Sequence, residues 1–206
     1  HSRAMVEAYP EIGLSAPAPA GSAFPPDVAL NPASPATWRF LRGLIAEMAA
    51  LFPGPYFHIG GDEVSETVWA DNADVKALMA RENLASKQEV EGYFARRVIE
   101  IVRKAGKTAI GWDEITTSGA SADVVIQAWR TSNATAAATA KGHRTIVSAG
   151  YYLDLLMPTD FHYAIDPIDV AAAGFRPDEA ERARKLNPIL ARVLTADIAP
   201  PSSLVP

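Results

Sequence analysis

Four short apolar segments alternate with amphipathic or alanine-rich segments along most of this chain. The apolar segments are residues 56–60, 108–112, 124–129 and 145–149. Strands that alternate with helices are typical of parallel βαβ units, in which a helix connects each strand to the next. A strand buried on both faces of such a sheet reads as an unbroken apolar run, as Val124-Val125-Ile126 does. The alternation therefore predicts an α/β fold with a parallel sheet.

Capping residues predict where the intervening helices begin. Ser34 followed by Pro35 has the pattern of an N-cap with proline at the first helical position. Ser86 with Glu89 has the pattern of a capping box at the start of another helix. The predicted helices cover residues 35–52, 74–81, 86–104, 134–141 and 177–186. Helices placed between the strands supply the crossovers that a parallel sheet requires.

Proline is concentrated at the beginning of the chain. Seven of the sixteen prolines lie within the first 35 residues, and each removes a backbone donor and fixes φ. This stretch is therefore predicted to be an extended loop, without a helix or a central strand. Residues 191–206 are also proline-rich and are predicted to form a tail after one domain of residues 1–190.

Charge and composition exclude several classes of protein. With a net charge of −5 and no basic run, the chain has no electrostatic footprint for nucleic acid or anionic lipid. It contains no cysteine, which excludes a disulfide framework, a thiol nucleophile and a cysteine zinc site. No apolar run reaches the roughly 18 residues that a membrane-spanning helix needs. The chain begins with His1 rather than Met, which indicates that it is processed, cut or partial.

Acidic and aromatic residues follow each of the four predicted strands. They stand in the segments Gly60-Gly61-Asp62-Glu63, Trp112-Asp113-Glu114, Gln127-Ala128-Trp129-Arg130 and Tyr151-Tyr152-Leu153-Asp154. The carboxyl ends of parallel strands form the binding face of an α/β fold, so these side chains are expected around one hollow. Tryptophan faces pack on sugar rings and carboxylates bind sugar hydroxyls. The combination therefore suggests a carbohydrate site without a metal.

The adjacent acids Asp62 and Glu63 are the obvious pair for glycoside hydrolysis. This reaction usually needs one carboxylic acid to protonate the leaving oxygen and a second group to stabilise an oxocarbenium-like centre. Neighbouring strand residues face opposite ways, so these carboxylates are not expected to flank one bond as acid and nucleophile. His58, within the same predicted strand, is expected to be buried and hydrogen-bonded.

These segments resemble, in order and spacing, the catalytic domain of family 20 glycoside hydrolases, the β-N-acetylhexosaminidases. The stretch from His58 to Glu63 is similar to the family signature. Residues 111–114, 125–129 and 152–154 resemble the segments after its fifth, sixth and seventh strands, and residues 1–11 the segment after its third. The resemblance covers roughly residues 1–170. It implies a partial (β/α)8 TIM-type barrel, with about the fourth to seventh strands and the loop after the third.

The resemblance implies a catalytic mechanism that needs no nucleophile from the enzyme. The nucleophile is the acetamido oxygen of the substrate itself, an exception among retaining glycosidases. Glu63 would then be the general acid and base. Asp62 would hold and polarise the acetamido N–H while an oxazolinium-like intermediate forms. The mechanism implies neither a cofactor nor a metal.

The resemblance also assigns residues that would bind the substrate. Trp112 and Trp129 would form the walls of the acetamido pocket, and Tyr152 would donate a hydrogen bond to the acetamido oxygen. Asp154 would bind a sugar hydroxyl, and His1 would lie behind the acid–base pair. The implied substrates are glycans that end in N-acetylglucosamine or N-acetylgalactosamine, as in chitin degradation. Relatives of this kind are expected to be periplasmic or secreted.

Other family features do not match this chain. The first two strands, which carry an arginine and an acid that grip the sugar, have no counterpart, and the proline-rich tail replaces the eighth strand with its Trp-x-Glu. The chain is therefore expected to be a fragment that is inactive alone and self-associates through open barrel edges.

Two other functions share part of this sequence pattern. One is a carbohydrate-binding remnant without turnover, because it would share every aromatic residue. The other is a nucleotide cyclase, because Gly-Gly-Asp-Glu also marks diguanylate cyclases, where the motif lies on a β-hairpin turn. Here the motif continues into Val64 and helical sequence, which disfavours the cyclase.

Overall fold

The computed structural model describes residues 2–16, 26–64, 68–69, 71–153 and 159–166, in two units, His1–Val124 and Val125–Pro206. The described elements of the first unit are helix α1 (Arg3–Ala8), a 3₁₀ helix (Pro10–Ile12), strands β1 (Gly13–Ser15) and β2 (Val28–Leu30), helix α2 (Pro35–Leu51), strand β3 (Tyr56–His58), helices α3 (Ala73–Glu82) and α4 (Lys87–Lys104), strand β4 (Thr108–Trp112) and a second 3₁₀ helix (Asp113–Ser118). Those of the second unit are strand β5 (Val125–Ala128), helix α5 (Ser132–Ala140), strand β6 (Thr145–Val147) and helix α6 (Thr159–Tyr163).

Each unit contains a parallel strand pair with at least one helix between the two strands. In the first unit β3 pairs with β4, Tyr56 standing opposite Thr108. The pairing continues past the end of β3, where the amide of Trp112 donates to the carbonyl of Gly60 at 3.0 Å. In the second unit β5 pairs with β6, with Ile126 opposite Thr145. The parallel pairing predicted from the alternating segments is therefore present in both units.

Helices α2 and α4 pack against each other in the apolar core of the first unit. Helix α2 buries Trp38, Leu41 and Ile45, and the rings of Trp38 and Phe94 of α4 lie 5.1 Å apart. The guanidinium of Arg97 lies 4.2 Å from the centre of the Trp38 ring, which adds a cation–π contact at the edge of this core. In the second unit Val125, Ile126 and Ala128 of β5 are buried, as expected for a strand covered on both faces.

Hydrogen bonds from capping side chains fix the beginnings of the two long helices. Ser34 Oγ accepts from the amide of Ala36 at 3.2 Å, and Pro35 is the first residue of α2. Ser86 Oγ accepts from the amide of Glu89 at 3.2 Å. The Glu89 carboxylate accepts from the amide of Ala85 at 2.6 Å, one residue before the position expected in a capping box. Caps of this kind stabilise a helix by about 0.5–2 kcal/mol each.

The prediction of an extended loop over the first 35 residues is wrong in part. Residues 3–8 form helix α1, and β1 pairs with β2 in an antiparallel arrangement that joins Gly13 to Leu30. None of these three elements contains a proline, since the prolines are concentrated between and after them. The high proline content of the whole stretch therefore does not apply to these short proline-free segments, which form helix and sheet.

Several predictions fall outside the described residues. They are the helix over residues 177–186 and the tail over residues 191–206. None of the helices in the described part of the chain is both long enough and apolar enough to cross a membrane.

Candidate active site

The loop that follows β3 has an unusual backbone conformation. Gly60, Gly61 and Glu63 all have positive φ, of 72°, 98° and 50°. Glycine tolerates this left-handed region, whereas a residue with a Cβ is strained there. A Cβ atom on Gly61 would also overlap the side chain of Ile115. Both glycines therefore suit the turn, and Gly61 is also required by a close neighbour.

Asp62 and Glu63 line the same cavity, which has a volume of about 240 Å³. Asp62 is half-buried and Glu63 is exposed. Ile59, Trp69 and Phe94 contribute apolar parts of the wall. The expectation that the two acids face opposite ways assumed a continuous strand. Because β3 ends at His58 and a left-handed loop follows, strand alternation does not determine where these two side chains point.

His58 is exposed, so the prediction of a buried histidine is wrong. Its Nδ1 accepts a hydrogen bond from the amide of Gly60 at 3.0 Å. Its ring meets that of Trp112 edge-on, with centroids 4.9 Å apart and an interplanar angle of 61°. In strand β3 the side chains of Tyr56 and His58 are exposed and that of Phe57 is half-buried. The face of the strand that carries Tyr56 and His58 is therefore accessible to solvent. Here His58 serves to orient the loop and to contact Trp112.

Trp112 is the last residue of β4 and is half-buried. Its amide donates to the carbonyl of Gly60. Trp112 therefore lies beside the beginning of residues 59–64, the acid-bearing loop that carries Asp62 and Glu63. Asp113, the next residue, is 2% exposed, in keeping with a hydrogen-bonding role at the strand end rather than contact with a ligand. The first unit thus brings Asp62, Glu63 and Trp112 to the carboxyl ends of two paired strands.

The second unit brings Trp129 and Tyr152 together. Trp129 directly follows β5, and its ring lies 6.5 Å from that of Tyr152 at an interplanar angle of 59°. Both residues are half-buried. Beside them, the Gln127 side-chain amide donates to Ser148 Oγ at 2.8 Å and links the ends of β5 and β6. Asp154 and His1, the remaining predicted site residues, lie outside the described residues.

The position of the Gly-Gly-Asp-Glu motif argues against the nucleotide cyclase. The motif follows a strand whose described partner, β4, runs parallel to it. Parallel neighbours cannot be joined by a tight hairpin turn. Within the described part of the chain, no cluster of three or more His, Cys, Asp or Glu side chains is arranged to hold a metal ion.

Sequence reasoning missed two residues that contact the acid-bearing loop. Ile115, 4% exposed, packs against Gly61, and Lys87 Nζ donates to the carbonyl of Val64 at 2.6 Å. Lys87 also pairs with Glu91 at 3.0 Å. The glycine pair signalled that something approaches the loop closely. Nothing in the sequence indicated that Ile115 and Lys87 make these contacts, because both residues are far from the loop in the sequence.

Comparison with known proteins identifies the family. Residues 1–174 match the family model described as glycosyl hydrolase family 20, catalytic domain. The β-hexosaminidase of Vibrio furnissii is 33% identical over 194 residues, which cover 92% of this chain and 31% of that protein. The β-hexosaminidase subunit beta of Entamoeba histolytica is 37% identical over 144 residues, which cover 68% of this chain and 25% of the relative.

Solved structures agree with this assignment. The chitobiase of Flavobacterium johnsoniae is 33% identical and superposes with a TM-score of 0.73 over 88% of this chain and 29% of that one. The exo-β-N-acetylglucosaminidase of Vibrio harveyi is 32% identical, with a TM-score of 0.62 over 70% and 23% of the two chains. These neighbours are TIM barrels, which confirms the predicted fold class of a partial (β/α)8 barrel. The chain spans less than a third of the length of each of these four proteins. The chain therefore belongs to glycosyl hydrolase family 20 and carries part of the catalytic domain of that family.

Proposed function

We propose that this chain supplies the acid–base segment of a retaining β-N-acetylhexosaminidase that removes terminal, non-reducing N-acetylhexosamine residues. The observation that carries the proposal is the pair Asp62 and Glu63, which line one cavity at the end of a barrel strand. In a retaining enzyme with its own nucleophile, the two carboxyl groups belong on opposite sides of the scissile bond. Two acids adjacent in one loop suit a reaction in which the substrate provides the nucleophile.

The proposed reaction proceeds in two steps. In the first, the acetamido oxygen of the substrate attacks the anomeric carbon, and Glu63 transfers its proton to the leaving glycosidic oxygen. Asp62 accepts a hydrogen bond from the acetamido N–H and stabilises the positive charge that develops on this group. In the second step Glu63, now a carboxylate, takes a proton from water, which attacks the anomeric carbon and reopens the oxazolinium ring. The overall configuration is retained because the anomeric carbon is inverted twice.

Aromatic side chains are proposed to bind the acetamido group. By resemblance to the family, Trp112 and Trp129 would form walls of the acetamido pocket, and the Tyr152 hydroxyl would donate to the acetamido oxygen. The tilted pair of Trp129 and Tyr152, with centroids 6.5 Å apart, supports this assignment because it combines an apolar face with a phenol. Asp154 is proposed to bind a sugar hydroxyl and His1 to lie behind the acid–base pair.

The proposed substrates are glycans that end in N-acetylglucosamine or N-acetylgalactosamine, including chitin fragments. Relatives named chitobiase, β-hexosaminidase and exo-β-N-acetylglucosaminidase support this class. A periplasmic or secreted location is proposed from the family resemblance, and self-association is proposed for the chain alone.

The function can be tested in an enzyme in which this chain replaces the matching segment of the Vibrio furnissii β-hexosaminidase, hereafter the exchanged enzyme. The measurement is kcat/KM for an aryl N-acetylglucosaminide and for the corresponding aryl glucoside. We expect efficient cleavage only of the first, because the glucoside lacks the internal nucleophile. Comparable cleavage of both substrates would contradict the mechanism. Binding of N-acetylglucosamine without any cleavage would instead indicate a carbohydrate-binding remnant.

A further inference from the structure

Ile115 is buried where two segments of the candidate active site approach each other. It lies in the 3₁₀ helix that follows β4 and is 4% exposed. A Cβ atom on Gly61 would overlap the Cγ2 methyl of Ile115, and one on Gly111 would overlap its Cδ1 methyl. Gly61 directly precedes Asp62, and Gly111 directly precedes Trp112. One side chain therefore fills the space between the acid-bearing loop and the end of β4.

Helix α4 holds the 3₁₀ helix that carries Ile115. Gly92 allows a close approach, since a Cβ atom there would lie 3.2 Å from Ser118 Cα and 3.3 Å from its carbonyl oxygen. One turn along the helix, the guanidinium of Arg96 donates a hydrogen bond to the same carbonyl. The position of Ile115 is therefore fixed by contact with an 18-residue helix.

The loop that Ile115 contacts needs support from outside because its backbone is strained. Gly61 and Glu63 have φ of 98° and 50°, and a residue such as glutamate stays in this region only where its surroundings enforce it. The far end of the loop is held by the charge-assisted hydrogen bond from Lys87 to the Val64 carbonyl. The near end is held at Gly61 by the Ile115 methyl group.

We propose that Ile115 is a positioning residue for Glu63. Its Cγ2 methyl restricts Gly61 and thereby sets the direction in which the loop presents the Glu63 carboxyl group. Its Cδ1 methyl packs on Gly111 and makes a separate contact at the end of β4. The proposal rests on the proposed role of Glu63 as the acid, and Ile115 itself needs no contact with substrate.

Two substitutions separate the two methyl contacts. Ile115→Val keeps a methyl group in the Cγ2 position and loses Cδ1. Ile115→Leu keeps the number of carbon atoms and the reach toward Gly111 but loses Cγ2. Ile45→Leu is a matched control, because it makes the same change at a 3% exposed position in helix α2.

Amide hydrogen exchange of the exchanged enzyme tests the contact without any substrate. We expect Ile115→Leu to accelerate exchange over residues 61–63 about tenfold, with Ile115→Val and Ile45→Leu within about twofold of the wild type. Equal acceleration in both Ile115 variants, or acceleration in neither, would overturn the proposal.

Steady-state kinetics of the exchanged enzyme test the consequence for Glu63. For a substrate with a poor leaving group, we expect Ile115→Leu to lower kcat about tenfold with little change in KM, because proton donation is misaligned. An activated aryl leaving group should show little change, and Ile115→Val should behave like the wild type. Equal losses on both leaving groups would overturn the positioning role. A wild type that cleaves neither substrate would contradict the proposed function and this role with it, while hydrogen exchange would still confirm or contradict the contact at Gly61.

Discussion

Glu63 has a left-handed backbone, with φ of 50°, after two glycines that are also left-handed. Such a conformation costs a non-glycine residue roughly 1–3 kcal/mol and persists where the surrounding structure enforces it. Because the strand does not continue through Glu63, strand alternation does not set the direction of its carboxylate. This is how Asp62 and Glu63, although adjacent, come to line one cavity.

Replacement of Glu63 by glutamine in the exchanged enzyme tests its role as the acid. The amide has no carboxylic proton to give, so we expect kcat/KM for a poor leaving group to fall roughly 10²–10⁴-fold. An activated aryl leaving group hardly needs the proton and should lose much less. Steady-state rates with both substrates provide the comparison, and losses of the same size would show that Glu63 is not the acid.

Asp62→Asn tests whether a negative charge stabilises the acetamido group. This group becomes cationic in the bicyclic intermediate, so the charge matters more for the intermediate than for the bound substrate. We expect the variant to weaken the binding of a stable thiazoline mimic of the intermediate by a larger factor than the binding of substrate. Calorimetric titration measures both affinities. If both weaken by the same factor, Asp62 only fixes the substrate in place.

At the residue scale, local pattern located the acids but not their surroundings. Asp62, Glu63 and Trp112 were found because each follows an apolar run that forms or borders a strand. The exposure of His58 was not predicted, because the burial of a strand residue depends on which other elements cover the strand and not on the strand sequence itself. Ile115 lies 54 positions after Gly61 in the sequence, so their contact leaves no local signal beyond the glycine.

At the element scale, the helices with strong caps were predicted well. Helix α2 begins at Pro35 and α4 directly after Ser86, because the bonds that fix a helix start lie within three residues. The pairing of β1 with β2 was missed because each strand is only three residues long and residues 16–27 separate the two in the sequence. Strand pairing is a tertiary property that composition does not carry.

The end of helix α4 is tied to the turn before β5 by an ion pair. Arg103 donates to Asp123 Oδ2 at 2.9 Å and to Ser121 Oγ at 3.1 Å. The hydrogen bond from the Ser121 hydroxyl, followed by that from Arg103, lowers the pKa of Asp123 below its usual value. The pair is exposed, with more than 40% of each side chain accessible, so solvent screens much of its energy.

Asp123→Asn should therefore destabilise the fold in a pH-dependent manner. A carboxylate whose pKa is lowered by folding stabilises the folded state above its unfolded pKa, and this contribution disappears as the pH falls through the folded value. We expect the variant to lose about 0.2–1 kcal/mol of unfolding free energy at pH 7, and the difference to vanish once the pH has fallen below the lowered pKa of Asp123. Urea denaturation of both proteins across this range measures it. A difference that persists in acid would mean that charge is not the cause.

At the scale of the whole molecule, the chain contains the proposed acid–base segment but a minor share of the length of its relatives, 31% in Vibrio furnissii. By resemblance to the family, other strands also grip the sugar, and charge-assisted hydrogen bonds contribute about 1.5–3 kcal/mol each. Exposed apolar side chains also cluster between α2 and β3, where Leu51 is 71% and Phe52 62% accessible.

We therefore expect the chain alone to self-associate and to hydrolyse N-acetylglucosaminides several powers of ten more slowly than the exchanged enzyme. Sedimentation analysis should give a mass above 22.0 kDa, or the chain should precipitate. The exchanged enzyme is the control for activity. A well-behaved monomer with full activity would show that the remaining strands are dispensable.

The most direct test of substrate-assisted retention is the anomeric configuration of the first product. Proton NMR during hydrolysis of a β-linked N-acetylglucosaminide by the exchanged enzyme distinguishes the two anomers before they equilibrate. Two successive displacements at the anomeric carbon, the first by the acetamido oxygen, predict that the β-anomer forms first. Initial release of the α-anomer would mean a single displacement by water, and it would contradict the roles proposed for Asp62 and Glu63.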